Sequence, residues 1–427
     1  MYKKIIIIFI LALLLRLLYI FAFPQAQVTP ALDSYEYDRL GWNLASGKGF
    51  SFDGINPYLR RGPIYPIVLA AIFKLFGHSY LAVRIIQVFL AAFIVMLSYI
   101  IGKRCFGQKI GMLASIITAL YPALIFYTGL IMSEIVFTFL LCFSFFAILK
   151  GYQDKLRYWY IISGVCLGLT ALCRSEAIML PLLVLVVLLL VEHNKKIAFI
   201  NFLILAFFMS LVVIPWTLRN YHIAKEFIPV QYSSGEAFWI GTYQQYPDEG
   251  MSVNLEKEPA RSIIKDLYLT GLTQQEKRII IDKHLSDDAI KRVIEHPFSY
   301  LIYRFKKHYQ FWIGGHSNVV VALADSLLSY FEQRNYIKFA IKCGLLLLNL
   351  IIILLGLYGF MVAIWKKINL GFTLITGTPI IYIPLVHFFF PASPRFQIPI
   401  LPLIIIFSSL GIFLLLRKNR NFIYNSN

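Results

Sequence analysis

A small set of ionisable residues in this 427-residue chain sits where ordinary solvent contact does not explain it. Asp33 opens the run Asp33-Ser34-Tyr35-Glu36-Tyr37. Its carboxylate is either a general base for a hydroxyl acceptor in group transfer, or the N-cap of a following helix with Glu36 completing a capping box. Tyr37, Leu40 and Leu44 give that helix an apolar face, and Gly47 and Gly49 stop it. Arg60-Arg61-Gly62-Pro63 brings two guanidiniums together, a pairing that suits bidentate recognition of a lipid phosphate or plain headgroup anchoring. Glu134 begins an apolar run after Met132-Ser133, where a helix N-terminus favours an acid. Arg174 and Glu176 flank a turn between two apolar runs and either neutralise one another or serve a site. Trp216 and Arg219 read as an interfacial belt residue and an anchor, and Arg395 in Pro394-Arg395-Phe396 taken alone as another anchor. His78, His296, His316 and His387 show no metal-ligand spacing and read as structural.

The elements that must position these groups are set by composition. Hydrophobic residues are 59% of the chain and charged ones 15%, too apolar for a soluble domain. Runs such as 5–23, 345–364 and 398–416 match the ~20 residues that span a bilayer core. The formal charge of +18 comes from short Lys/Arg clusters between apolar runs, a topology signal that argues against nucleic-acid binding. The first run follows Lys3 and Lys4, exceeds a signal-peptide core and ends in Phe23-Pro24-Gln25, a poor cleavage site, so it reads as an uncleaved helix. Cys105, Cys142, Cys166, Cys173 and Cys343 all lie in or beside apolar segments, with no disulfide or metal pattern.

If the clusters Lys3/Lys4, Lys103/Arg104/Lys109, Lys150/Lys155/Arg157, Lys195/Lys196, Lys366/Lys367 and Arg417/Lys418/Arg420 are all cytoplasmic, an even number of crossings separates each from the next. That parity excludes 63–76 as a span and makes it an interfacial helix. The expected fold is all-α and polytopic, with about ten crossings (5–23, 81–101, 110–127, 135–149, 158–173, 177–191, 197–216, 341–364, 370–390 and 396–416) and both termini cytoplasmic. Three regions follow: an N-terminal module 1–217 with outer loop 24–79, an extracytoplasmic loop domain 218–338, and C-terminal helices 339–427. Asp33, Arg60, Arg61, Glu134, Arg174, Glu176, Arg219 and Arg395 then fall in one outer layer, with the mid-planes of the spans apolar.

The series Asp33-x-x-x-Tyr37, Arg61-Gly62-Pro63-x-Tyr65-Pro66, Ser133-Glu134, Arg174-Ser175-Glu176, Pro215-Trp216-x-x-Arg219-Asn220 and Pro394-Arg395-Phe396-x-x-Pro399 resembles the GT-C glycosyltransferases. It is similar in particular to bacterial relatives of the dolichyl-phosphate-mannose protein mannosyltransferases and of the lipid A aminoarabinose transferase. The resemblance implies a polyprenyl-phosphate-sugar donor and an extracytoplasmic hydroxyl or amine acceptor, while the high Ile, Lys and Asn content with no eukaryotic targeting signal points to a bacterial or archaeal plasma membrane. It implies Asp33 as the catalytic carboxylate, Glu134 as the second acid and Arg61 at the lipid phosphate, with Arg60, Arg174 and Arg395 helping, and Tyr37, Glu176 and Arg219 in support. Many relatives have Asp-Glu where this chain has Asp33-Ser34, and Lys-Gly-Pro where it has Arg174-Ser175-Glu176. No cofactor is required by such a displacement, and the need for a divalent cation stays open. Three rivals stand: a flippase or transporter, which would want internal repeats and mid-membrane polar groups; a polymerase, resting on loop arginines; and a scaffold indifferent to Asp33.

Overall fold

The computed structural model describes residues 2–24, 33–232, 234–242, 274–313 and 325–416. Among them are seventeen α-helices and no β-strand: α1 (Tyr2–Ala22), α2 (Asp33–Ala45), α3 (Ile64–Phe76), α4 (Tyr80–Phe106), α5 (Gln108–Leu120), α6 (Pro122–Phe126), α7 (Glu134–Asp154), α8 (Tyr158–Cys173), α9 (Leu180–Val191), α10 (Lys195–Ala224), α11 (Ser234–Thr242), α12 (Gln274–Glu295), α13 (Pro297–Trp312), α14 (Leu327–Glu332), α15 (Tyr336–Trp365), α16 (Leu370–Phe389) and α17 (Leu401–Leu416). Seven described helical segments are long and apolar enough to cross a membrane, and α5 with the following Pro122–Gly129 makes an eighth if the pair, bent by 57°, is one span. Tyr158–Cys173 and Ser175–Val191 are shorter apolar helices. Each of the ten expected crossing segments is thus helical; α3, at 13 residues, belongs to the same shorter class as Tyr158–Cys173 and Ser175–Val191.

Lipid offers helices no hydrophobic incentive to associate, so close contact rests on small residues and on hydrogen bonds. At the α15–α17 contact a Cβ on Gly359 would stand 2.1 Å from the Phe407 carbonyl oxygen, so nothing larger than glycine fits. Among the hydrogen bonds are those of three buried arginines to carbonyls at helix ends. Pro122 forces Tyr121 into an extended conformation (φ −68°, ψ 117°) and ends α5, leaving its last carbonyls without intrahelical donors. Arg16, fully buried in α1, donates to Thr118 O and Ala119 O at 3.2 and 3.0 Å, and to Ala12 O at 3.1 Å. The apolar mid-planes read from the sequence are corrected at this point: α1 carries an arginine because the broken α5 needs one. Arg84 likewise donates to Phe23 O and Pro24 O at the end of α1. Arg304 of α13 donates to His387 O, Phe388 O and Phe390 O at the end of α16, and to Gly241 O.

The clusters Lys103/Arg104/Lys109, Lys150/Lys155/Arg157, Lys195/Lys196 and Lys366/Lys367 share one end of the bundle. Arg104 donates to Gln153, Lys155 pairs with Glu192 at 2.9 Å, and Asn369 donates to Cys105 O at 2.7 Å. Glu134 and Asp154, at opposite ends of the 21-residue α7, lie ~30 Å apart. The acidic and arginine layer sits at the Glu134 end. At that end α2 packs on α3, and α11 on α12 through Trp239, Ile240, Leu285 and Ala289. The regional boundaries are approximate, since α10 runs through 217 to Ala224 and α15 starts at Tyr336. The basic tail at Arg417, Lys418 and Arg420, and His316, lie outside the described residues.

Candidate active site

The first turn of α2 puts Asp33, Glu36 and Tyr37 on one face, as i, i+3 and i+4 neighbours must be. The turn before α3 reaches that face because Gly62 packs against the end of α8, where a Cβ would stand 2.3 Å from Leu172 O. Gly62 N–H also donates to Gln231 Oε1 at 2.9 Å. Arg60 and Arg61 therefore reach the first turn of α2, while Arg174 follows the last residue of α8. Arg395 arrives from the other end of the chain, on the 3₁₀ stretch Pro394–Ile400 that precedes α17.

Two chains of ion pairs result. In the first, Glu236 binds Arg60 at 3.2 Å, Arg60 binds Glu36 at 2.8 Å, and Glu36 binds Arg61 at 2.5 Å. Arg61 Nη2 then meets Asp33 Oδ1 at 2.5 Å, and Arg395 Nη1 meets Asp33 Oδ2 at 2.7 Å. In the second, Arg174 links Glu134 at 3.1 Å to Glu176 at 3.2 Å, and His387 Nε2 lies 3.0 Å from Glu176 Oε2. Aromatic rings tie the two together. Arg61 lies over the Tyr37 ring, whose hydroxyl is 3.3 Å from Ser133 Oγ. Phe396 carries Arg174 at 5.0 Å and Arg395 at 4.9 Å from its ring centroid, with His387 stacked on it at 4.0 Å.

Burial by itself would raise the carboxyl pKa values here, but Arg61 and Arg395 outweigh it and hold Asp33 far below the usual range. Glu36 is lowered in the same way by Arg61 and Arg60. Burial would weaken the protonated arginines, yet Glu236 and Glu36 push Arg60 up, and Asp33 with its neighbours does the same for Arg61. With both oxygens engaged by cations, Asp33 is a weak base in this arrangement. Glu134 differs: its side chain is 1% exposed, and Oε2 is buried with no hydrogen-bond partner, an acceptor whose burial is costly until a donor arrives. Among the described residues no group of three His, Cys, Asp or Glu is arranged to hold a metal ion.

The structure thus gathers Asp33, Tyr37, Arg60, Arg61, Glu134, Arg174, Glu176 and Arg395, with Arg60 one pair removed from Asp33. Arg219, expected among the supporting residues, is not there. It donates to Tyr58 O at 3.2 Å and Phe50 O at 3.4 Å and lies 4.3 Å from the Trp216 ring centroid, closing the 50–58 loop against α10. Four members were missed. Glu36 serves Arg60 and Arg61, although the capping-box reading had given its carboxylate a local partner; its place in the same acidic layer was the available signal. Ser133 and His387 had only their neighbours Glu134 and Pro391-Ala392-Ser393-Pro394-Arg395 to mark them. Glu236 had no signal in a long loop rich in charge.

Residues 60–218 match the family described as dolichyl-phosphate-mannose-protein mannosyltransferase. That stretch contains Arg60, Arg61, Glu134, Arg174 and Glu176. Comparison with curated protein sequences gives no significant match. Among solved structures, the Archaeoglobus fulgidus oligosaccharyltransferase in its apo form superposes with a TM-score of 0.58 at 12% identity, over 98% of this chain and 50% of that one. The same archaeal enzyme, AglB, in complex with an inhibitory peptide and a dolichol-phosphate, gives 0.58 at 13% identity over the same shares. ArnT from Cupriavidus metallidurans covers 86% of this chain and 74% of its own at 14% identity, with a TM-score of 0.44, too low to carry weight. The chain spans about half the length of the archaeal enzyme it matches. The chain thus shares its fold over nearly its whole length with the archaeal oligosaccharyltransferase, and residues 60–218 match the dolichyl-phosphate-mannose-protein mannosyltransferase family.

Proposed function

We propose that the protein transfers a sugar from a polyprenyl-phosphate donor to a hydroxyl or amine acceptor on the extracytoplasmic side of a cell membrane. One observation carries the reading: guanidiniums separated by more than three hundred residues, Arg61 and Arg395, converge on the two oxygens of Asp33. Such a pair is matched to a phosphate as well as to a carboxylate. The archaeal enzyme of the same fold was captured with a dolichol-phosphate, which supports a lipid-phosphate donor. The positive-inside rule, applied to the basic end of the bundle, puts the charge layer outside, where nucleotide sugars are absent and a donor must come laterally through lipid.

In this mechanism the donor's phosphodiester competes with Asp33 for Arg61 and Arg395. Released from one cation, an Asp33 oxygen accepts the acceptor's proton while the acceptor atom forms its bond to the anomeric carbon. The bond from that carbon to the phosphate oxygen breaks with inversion. The leaving phosphate monoester gains a charge, which the same arginines stabilise without moving far. Glu134 Oε2 receives a hydrogen bond from substrate. Guanidiniums supply the positive charge, so the scheme calls for no divalent cation.

The test is transfer from a radiolabelled polyprenyl-phosphate-sugar panel to membrane extract by the purified protein, beside Asp33→Asn. Transfer that the variant loses while still binding donor supports the reading. Absence of turnover with every donor, or an undiminished variant, returns transport to the front.

A further inference from the structure

Helix α13 has two faces of opposite fate. Tyr300, Arg304 and Phe311 are buried on the inner side, whereas Phe298, Ile302, Phe305 and Tyr309 are 79%, 56%, 71% and 56% exposed. The exposed four recur at i, i+4, i+7 and i+11, a single exposed stripe that meets the protein where Phe305 reaches Phe388. Exposed single apolar residues are ordinary, but an unbroken aromatic and aliphatic stripe on one helix face is not.

Its position says what medium covers it. Tyr300, Arg304, Phe305, His308 and Phe311 occupy three turns of α13, yet all meet residues 387–390 at the end of α16. Tyr300 Oη donates to Phe389 O at 2.9 Å, Arg304 donates to three of the last carbonyls, and Phe305 and His308 pack on Phe388 while Phe311 stacks on His387. A helix whose whole length touches four residues of another crosses its end. That end, where a membrane-spanning helix stops, is the level of the headgroups. The outer surface of α16 just below is itself apolar and exposed, at Ile381, Leu385 and Phe389. Lys306, exposed and beside the stripe, supplies a positive charge at the same level.

We infer that α13 is a membrane-surface helix whose Phe298–Tyr309 stripe is immersed in the acyl boundary of the leaflet, with Lys306 against anionic phospholipid headgroups. The inference is independent of the transferase reading. It also connects lipid to the charge layer, because Phe311 and Phe388 flank His387, and His387 holds Glu176.

The test places the photoreactive residue benzoylphenylalanine at Phe298, Phe305 or, as a buried control, Tyr303, in the full-length protein reconstituted in vesicles of equal phosphatidylglycerol and phosphatidylcholine. Phospholipid adducts at Phe298 and Phe305 and none at Tyr303 are expected, with phosphatidylglycerol enriched about fivefold, the effect of one lysine near an anionic surface. Lys306→Gln should remove the enrichment and leave the adducts. Crosslinks to a second copy of the chain, absence of lipid adducts at both outer positions, or enrichment unaffected by Lys306→Gln would each overturn the proposal.

Discussion

Replacing Arg395 with methionine separates the two jobs assigned to the arginines around Asp33. The variant keeps Asp33 paired to Arg61 at 2.5 Å, so no buried carboxylate is left without a cation, and the large penalty for an orphaned charge does not arise. What is lost is one charge-assisted hydrogen bond of 2.7 Å between side chains 23% and 18% exposed, worth about 1.5–3 kcal/mol. The fold should survive with a lowered melting temperature. The transition state loses more, since the developing phosphate dianion then has one fixed guanidinium fewer. Removing one such preorganised donor costs about 10²- to 10³-fold in kcat, or ~2.7–4 kcal/mol.

The pH dependence has an opposite and diagnostic sign. Asp33 has a depressed pKa in the folded state, so the stability it contributes is complete above its unfolded pKa of about 3.9 and is lost as pH falls through the folded value. Without Arg395, Asp33 moves back toward the ordinary carboxylate value. The variant's acid-side loss of activity should therefore begin at higher pH than the parent's. The assay is single-turnover sugar transfer from about pH 2.5 to 7 with a saturating donor, beside thermal unfolding in the same detergent, so that the range includes the ordinary carboxylate value. A kcat within tenfold of the parent, or an unmoved acid limb, would refute the assignment of Arg395 to Asp33 and the leaving phosphate.

Arg304→Ala should destabilise the protein by roughly 3 kcal/mol or more, because several carbonyls at the end of α16 lose a buried cationic donor; a melting curve reads it directly. Arg219→Ala should leave kcat within about threefold, an effect of ~0.6 kcal/mol, while loosening the 50–58 loop to proteolysis. A hundredfold loss of kcat would return Arg219 to the site. Chelation of divalent cations should change the transfer rate by less than about twofold, since the proposed scheme gives the electrostatic role to Arg61 and Arg395; complete loss restored by added metal would overturn the metal-free scheme.

Much of the fold was legible because lipid imposes two strict rules. Backbone groups must be satisfied within a helix, which makes apolar runs readable as helices, and positive clusters must share a side, which makes their count readable as topology. Those rules put 63–76 on the surface and placed Asp33, Glu134, Arg174 and Arg395 in one layer before any distance was known. They are silent about who pairs with whom. Glu36 satisfied a local motif, and only the tertiary approach of Gly62 to Leu172 O gave it Arg60 and Arg61 instead. His387 needed the contact between α16 and the 175–177 turn, and Glu236 needed α11 to reach the charge layer. Periodicity carries no trace of either.

The arginines make the same point more sharply, because residue type alone puts Arg16, Arg84, Arg304, Arg61 and Arg395 in a single class. Their partners divide them. Arg16, Arg84 and Arg304 donate to carbonyls at helix ends, which are neutral, fixed in the backbone and unable to leave without unravelling a turn. Arg61 and Arg395 donate to the carboxylate of a side chain, which can rotate and which a phosphate can replace at little electrostatic cost. A buried cation held by backbone is therefore committed to the fold, whereas one held by a carboxylate is exchangeable. On that criterion Arg60, Arg61, Arg174 and Arg395 are the exchangeable cations that the proposed transfer calls for, and Arg219, bound to Tyr58 O and Phe50 O, is committed to the fold despite standing in the same outer layer.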